Sequence, residues 1–113
     1  MLLPHASEAV IPQEKLEGYL LSDSHPVGRF KARFFKGLGF RHEEWRLLEA
    51  ALRRDHLTQA AEPSGRQERG QAYTIRAILN GPAGASAPVV SVWFVRDGEA
   101  VPRFVTAYPG GGT

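Results

Sequence analysis

The sequence predicts an α+β fold in which three N-terminal helices pack on a C-terminal antiparallel sheet of three to four strands. Three observations carry that expectation. Apolar residues recur at helical spacing through the first 56 residues. From Gln71 onward they alternate with polar ones at the spacing of a strand. Turn signals at Asn80-Gly81-Pro82-Ala83-Gly84 and Asp97-Gly98 then divide this second half into short extended segments. Helices grouped ahead of strands point to helices laid on one sheet face.

Pro12 stands where a first helical turn begins, and Leu16, Tyr19 and Leu20 follow at i, i+3, i+4, so a helix is expected over about 12–21. Asp23-Ser24-His25-Pro26 offers capping residues and a proline for the next start. Val27, Phe30, Phe34 and Leu38 make an apolar stripe, which predicts a second amphipathic helix over 26–37, ended by Gly37 or Gly39. A third is expected from about His42 to His56, with Trp45, Leu48 and Leu52 inward and Arg46, Glu49 and Arg53 outward. Residues 62–70 are polar and rich in turn formers, and read as a mobile connection; Leu57–Ala61 is expected as a short edge strand.

Gln71–Leu79 reads as a strand, with Tyr73, Ile75, Ala77 and Leu79 on one face. Val89–Arg96 is apolar on both faces, as suits a central strand. Pro102–Tyr108 closes the sheet. Strict alternation there puts Arg103, Val105 and Ala107 on one face, and Phe104, Thr106 and Tyr108 on the other. Residues 1–109 are expected to form one domain, with 110–113 a flexible glycine-rich tail.

Composition narrows the chemistry. With no cysteine, disulfides, thiolate zinc sites and cysteine nucleophiles are excluded. The four histidines have no metal-ligand spacing, so no metal and no cofactor are expected. Phosphate-loop, dinucleotide and serine-elbow motifs are missing from the sequence. No run is long enough to cross a bilayer, and the N-terminus does not read as a secretory signal, so a cytoplasmic protein is the expectation. The net charge of +2 is unevenly spread. Residues 1–23 hold one Lys against three Glu and one Asp, whereas 24–41 hold Arg29, Lys31, Arg33, Lys36 and Arg41 with no acid. Such a block attracts phosphate, or is simply a solvated helix face.

Metal-free RNA cleavage needs a base for the ribose 2′-hydroxyl, an acid for the leaving 5′-oxygen, and cations or hydroxyls for charge on the phosphate. Lys31, His25, Arg103, Thr106 and Tyr108 are the residues of this sequence suited to those tasks, with Arg29, Arg33, Ser91 and Trp93 as candidate substrate contacts. The same residues admit plainer readings. Lys31 would then snorkel past the core rim, and Thr106 and Tyr108 would be packing residues with satisfied hydroxyls.

Across nearly the whole chain the pattern resembles a known family. The residues that carry it are Leu2-Leu3-Pro4, Ala9-Val10-Ile11, Leu20-Leu21 and His25-Pro26-x-Gly28-Arg29-x-Lys31-Ala32-x-Phe34-Phe35, then Leu38-Gly39-Phe40. They continue with Gly70-x-x-Tyr73, Gly81-Pro82, Val90-Ser91-Val92-Trp93 and Pro102-Arg103-x-Val105-Thr106-Ala107-Tyr108-Pro109. This is similar to a bacterial domain-of-unknown-function family found near polymorphic-toxin and toxin–antitoxin genes. In layout that family resembles the ribonuclease superfamily of barnase, EndoU, colicin-type and RelE enzymes, which cleave RNA without a metal. The resemblance implies Lys31 and His25 as the helix contribution to a site, and Arg103, Thr106 and Tyr108 as that of the last strand. Ser91 stands where the family more often has threonine. It further implies an endoribonuclease toxin acting on RNA and restrained by an antitoxin or immunity protein. The alternative is a non-enzymatic module of such a system that binds protein or nucleic acid through the basic helix. An antitoxin-like partner is the weaker third reading, because the chain is neither strongly acidic nor tailed.

Overall fold

The computed structural model describes residues 1–110 and has the α+β layout expected of the sequence. Helix α1 (Gln13–Lys15) runs directly into a π-helical turn (Leu16–Leu20). Helices α2 (Arg29–Gly37) and α3 (Trp45–Asp55) follow, with 3-10 turns at Ala6–Glu8 and His42–Glu44. Strands β1 (Ala61–Gln67), β2 (Gly70–Asn80), β3 (Ser86–Arg96) and β4 (Arg103–Pro109) form an antiparallel meander in the order β1-β2-β3-β4. Among the described residues no helix is long and apolar enough to cross a membrane. Of the expected tail, Gly110 donates its N–H to the Pro88 carbonyl (2.9 Å), and residues 111–113 lie outside the described residues.

The helical half departs from the sequence expectation in its rotation. The wide turn, closed by Leu21 N–H on the Leu16 carbonyl (2.9 Å), lets Leu16, Leu20 and Leu21 all point inward. It carries Tyr19 to the rim, where it is only half-buried. Helix α2 is rotated away from its expected stripe. Ala32 and Phe35 are fully buried, and Leu38 nearly so, whereas Val27 and Phe30 are 54% and 72% exposed. A lysine in the same turn explains the choice. Facing the stripe fully inward would swing Lys31 away from the hydroxyl acceptors that it reaches in the fold.

The polar connection expected at 62–70 is instead mostly strand. Residues 61–67 pair with β2 as an exposed edge, with an irregularity between Pro63 and Gly65. Edge position tolerates that proline, because its missing N–H faces no partner strand. The pairing is made by backbone groups, so side-chain alternation gave no sign of it. Of the short strand expected at Leu57–Ala61, only Ala61 enters the sheet, and Ala60 forms an isolated bridge with Leu2.

Strand β3 lies between β2 and β4 as the central strand, with Val89, Val90, Ser91 and Trp93 all buried. On β4 strict alternation fails. Phe104 lies opposite Trp93 and Thr106 opposite Val92, which leaves Val105 as a bulged residue without a partner. The bulge turns Phe104 and Ala107 to the same, helix-covered face, at 2% and 0% exposure. It also places Arg103, opposite Phe94, on the face that holds Thr106 and Tyr108. The flanking segment pairs with this strand on its other edge. Val10 donates to Pro102 O and accepts from Phe104 N–H, both at 2.9 Å, and so lays α1 beside β4.

One polar trio lies inside the core. Ser91 Oγ accepts the Trp93 indole N–H (2.8 Å) and bonds His56 Nδ1 (2.7 Å), and all three residues are 0% exposed. Burial pushes the His56 imidazole below its ordinary value of 6.5, against the opposing pull of the Ala77 carbonyl and the Asp55 carboxylate. Unfolding lets this ring charge, so its contribution is full above 6.5 and is lost as pH falls toward its folded value. Urea midpoints should therefore drop between pH 7.5 and pH 5.5, roughly the window of histidine titration, and the drop should shrink in His56→Gln. Ser91→Ala strands two buried partners and should cost about 1–3 kcal/mol in the same measurement.

Candidate functional site

The site is assembled where α1, α2 and β4 meet. Lys31 extends from the first turn of α2 and donates from Nζ to two hydroxyls, Thr106 Oγ1 at 2.7 Å and Tyr19 Oη at 2.8 Å. The two hydroxyls are themselves 3.3 Å apart. The ammonium lies 5.1 Å from the Tyr19 ring centroid, at its hydroxyl end, and 6.0 Å from that of Tyr108. An open cleft lined by Glu14, Lys15, Tyr19, His25, Val27 and Thr106 runs along the same corner.

Local structure brings these groups together. Val10 docked on β4 sets the height of α1, and the π-helical turn then aims Tyr19 at the strand. Helix α2 reaches Tyr19 because Gly28 has no side chain. A Cβ there would collide with the Tyr19 carbonyl and come within 2.9 Å of its ring. His25 packs edge-on against the Tyr19 ring, with centroids 4.9 Å apart. Its Nδ1 accepts the N–H groups of Val27 (3.0 Å) and Gly28 (2.9 Å), which caps the turn entering α2. In that arrangement the neutral ring carries its proton on Nε2, so His25 offers a donor and not a base. Of the capping residues expected in Asp23-Ser24-His25-Pro26, His25 serves, supported by Ser22, whose Oγ accepts the His25 N–H (3.1 Å); Asp23 pairs with Lys36 instead (2.8 Å).

The electrostatics single out one phenol. Burial pushes Tyr19 up, but hydrogen bonds from Lys31 and Thr106, with the charges of Lys31 and Lys15, outweigh it and hold its ionisation below 10.0. Lys31 uses two of its three N–H donors on these hydroxyls and retains a third. The corner is thus a cation poised beside an acidified phenol, with the His25 imidazole on the same cleft and a second phenol ring, Tyr108, 6.0 Å from the cation.

Of the residues singled out from the sequence, Lys31, Thr106, Tyr108 and His25 gather here. Arg103 does not join them: it pairs with Glu99 at 3.8 Å and lines an adjoining hollow with Phe94 and Arg96. Arg29 and Arg33 are exposed on α2. Ser91 and Trp93 are sealed in the core, where no substrate reaches them, and their expected contact role gives way to the structural one above. Sequence pattern does not mark Tyr19, Glu14 or Lys15 as part of a site. Tyr19 reads as one member of an apolar stripe, and its position three residues after Leu16 hid it. Among the described residues no three His, Asp or Glu side chains gather as a metal site would require.

Comparison with known proteins is consistent with the fold. The family described as Domain of unknown function (DUF6883) matches residues 2–111. No curated protein matches the chain. A solved structure described as a contact-dependent growth inhibition toxin - immunity protein complex from Klebsiella pneumoniae 342 contains a chain similar to this one, with a TM-score of 0.65 and 19% identity. The similarity covers 95% of this chain and 97% of that one. At this identity the likeness is one of fold.

Two outcomes test the geometry without reference to activity. Replacing the cation in Lys31→Met should move the Tyr19 ionisation upward, read as the phenolate absorbance that differs between this variant and Lys31→Met/Tyr19→Phe. Gly28→Ala should break the approach of α2 to Tyr19 and lower the unfolding midpoint, while Gly37→Ala, where nothing lies within 4 Å, should leave it unchanged or raise it.

Proposed function

We propose that this chain, which belongs to the DUF6883 family, is a metal-independent endoribonuclease of toxin type that cleaves RNA phosphodiesters at the Lys31 corner. The observation that carries the reading is that Tyr19, Thr106 and His25 line one open cleft, while Lys31 donates to Tyr19 and Thr106 and lies 6.0 Å from the Tyr108 ring centroid. Residues buried under the helices would have argued the opposite, and Tyr108 is 38% exposed. The fold shared with a chain of a toxin–immunity complex supports the toxin setting and an immunity or antitoxin protein as partner.

The chemistry follows from what each group has to offer. Tyr19, held toward its phenolate by Lys31, takes the proton of a ribose 2′-hydroxyl as that oxygen bonds to phosphorus. The P–O5′ bond breaks, and the departing 5′-oxygen takes the Tyr108 hydroxyl proton. A 2′,3′-cyclic phosphate and a free 5′-hydroxyl result, and solvent resets both phenols. Lys31 turns its remaining N–H toward the non-bridging oxygens, where charge grows as phosphorus becomes five-coordinate. His25 Nε2–H supplies a second donor for the same oxygens. Thr106 holds the ammonium in place and acts as a positioning residue.

A non-enzymatic binding module built on the same basic helix is the competing reading. Incubating the chain with total RNA in EDTA separates the two. Cleavage should appear, leave cyclic phosphate ends, and rise with pH as Tyr19 ionises. Lys31→Met should slow it by about 10²–10³-fold, and growth arrest on expression should vanish with it. Intact RNA across the pH range, with growth arrest unaffected by Lys31→Met, would overturn the enzyme reading.

A further inference from the structure

Phe30 is 72% exposed, the most exposed of the large apolar residues of the chain, although it sits at the start of an amphipathic helix. It does not stand alone. Val27, one turn earlier and hydrogen-bonded to it through the Val27 carbonyl and Phe30 N–H (3.2 Å), is 54% exposed and lines the cleft of the Lys31 corner. The Arg29 guanidinium lies 4.8 Å from the Phe30 ring centroid. Arg33 follows Arg29 by one helical turn and is exposed beside it. Lys36 and Arg41 are matched by Asp23 and Glu43, whereas neither Arg29 nor Arg33 has an acidic partner among the described residues.

We infer that Phe30, with Val27 and the unpaired cations Arg29 and Arg33, forms a stacking platform that takes an unpaired nucleobase of single-stranded RNA next to the Lys31 corner. The inference rests on the ribonuclease reading for its substrate and names the class that reading leaves open. An aromatic face offers any base a stacking surface, and flanking cations track the phosphates on either side of it. A duplex cannot use such a platform, because its bases are already stacked on one another. The unmatched positive charge on this helix face fits a polyanion, and the exposed ring fits one whose bases are free. A single exposed phenylalanine is ordinary on a protein surface. The carrying features here are its continuity with a cleft-lining residue and the arginine guanidinium 4.8 Å from its ring centroid.

The test uses the unaltered chain and a single-stranded 2′-O-methyl oligoribonucleotide, which lacks the attacking hydroxyl and so reports binding alone. A duplex of the same sequence serves as the comparison. The single strand should bind more tightly than the duplex. Phe30→Ala should weaken that binding by about five- to a hundred-fold, with Phe30→Trp close to the parent and the unfolding midpoint unchanged in both. Arg33→Ala should flatten the salt dependence of binding. Equal affinity for single strand and duplex, or Phe30→Ala binding as the parent does, would refute the platform. Phe30-dependent binding in a chain that leaves natural RNA intact would uphold the platform while removing the enzyme. Cleavage at the parent rate by Phe30→Ala would do the reverse.

Discussion

A half-buried ammonium has to be given acceptors, and Lys31 finds both of its own on side chains from other elements, Tyr19 before it and Thr106 at the far end of the chain. The two hydroxyls replace part of the water that this side chain gives up beside the core. Much of the architecture reads as the means of bringing them there. Helix α2 is rotated so that Lys31 faces β4, which brings Ala32 and Phe35 into the core and leaves Val27 and Phe30 in water. The π-helical turn brings Tyr19 to the rim while its leucine neighbours stay inside. Gly28 allows the two segments to touch. The bulge at Val105 fixes which β4 residues face which way.

The sheet and the helices are joined elsewhere by a different device. His56 and Ser91 connect the end of α3 to the central strand through a hydrogen bond with no solvent near it. Close by, Asp55 accepts from Arg54 and from the backbone and side chain of Asn80, which ties α3 to the end of β2. The Arg54 hydrogen bond leads a set of contacts that hold the Asp55 carboxyl at about 2, well under the usual carboxylate range. These contacts are structural: they stabilise the scaffold on which α2 and β4 meet.

The order of elements was legible because periodicity is local. Leu48 and Leu52 on α3, the alternation through Ile75 and Leu79, and the glycine-rich turns each declare themselves within a few residues. Strand β1 was not legible, since an exposed edge strand is held by its backbone and its side chains answer to no periodic demand. Among the site residues, Lys31, Thr106, Tyr108 and His25 could be nominated by chemical type. Arg103 could be nominated equally well and lies elsewhere, because it enters β4 three residues before Thr106, opposite Phe94 and beside Glu99. Tyr19 was concealed by its neighbours, and Ser91 and Trp93 proved to be each other's partners inside the core.

By itself, then, the sequence determined the class of fold, the number of helices, the central strand and the stock of groups available for chemistry, all consequences of short-range pattern and composition. Tertiary structure alone decided the rotation of α2, the switch of faces along β4 and the choice of Tyr19 as the companion of Lys31. These depend on contacts between different elements, separated by 12 positions for Tyr19 and Lys31 and by 75 for Lys31 and Thr106. A partly buried ammonium takes its acceptors by distance in space, and no local periodicity records that distance.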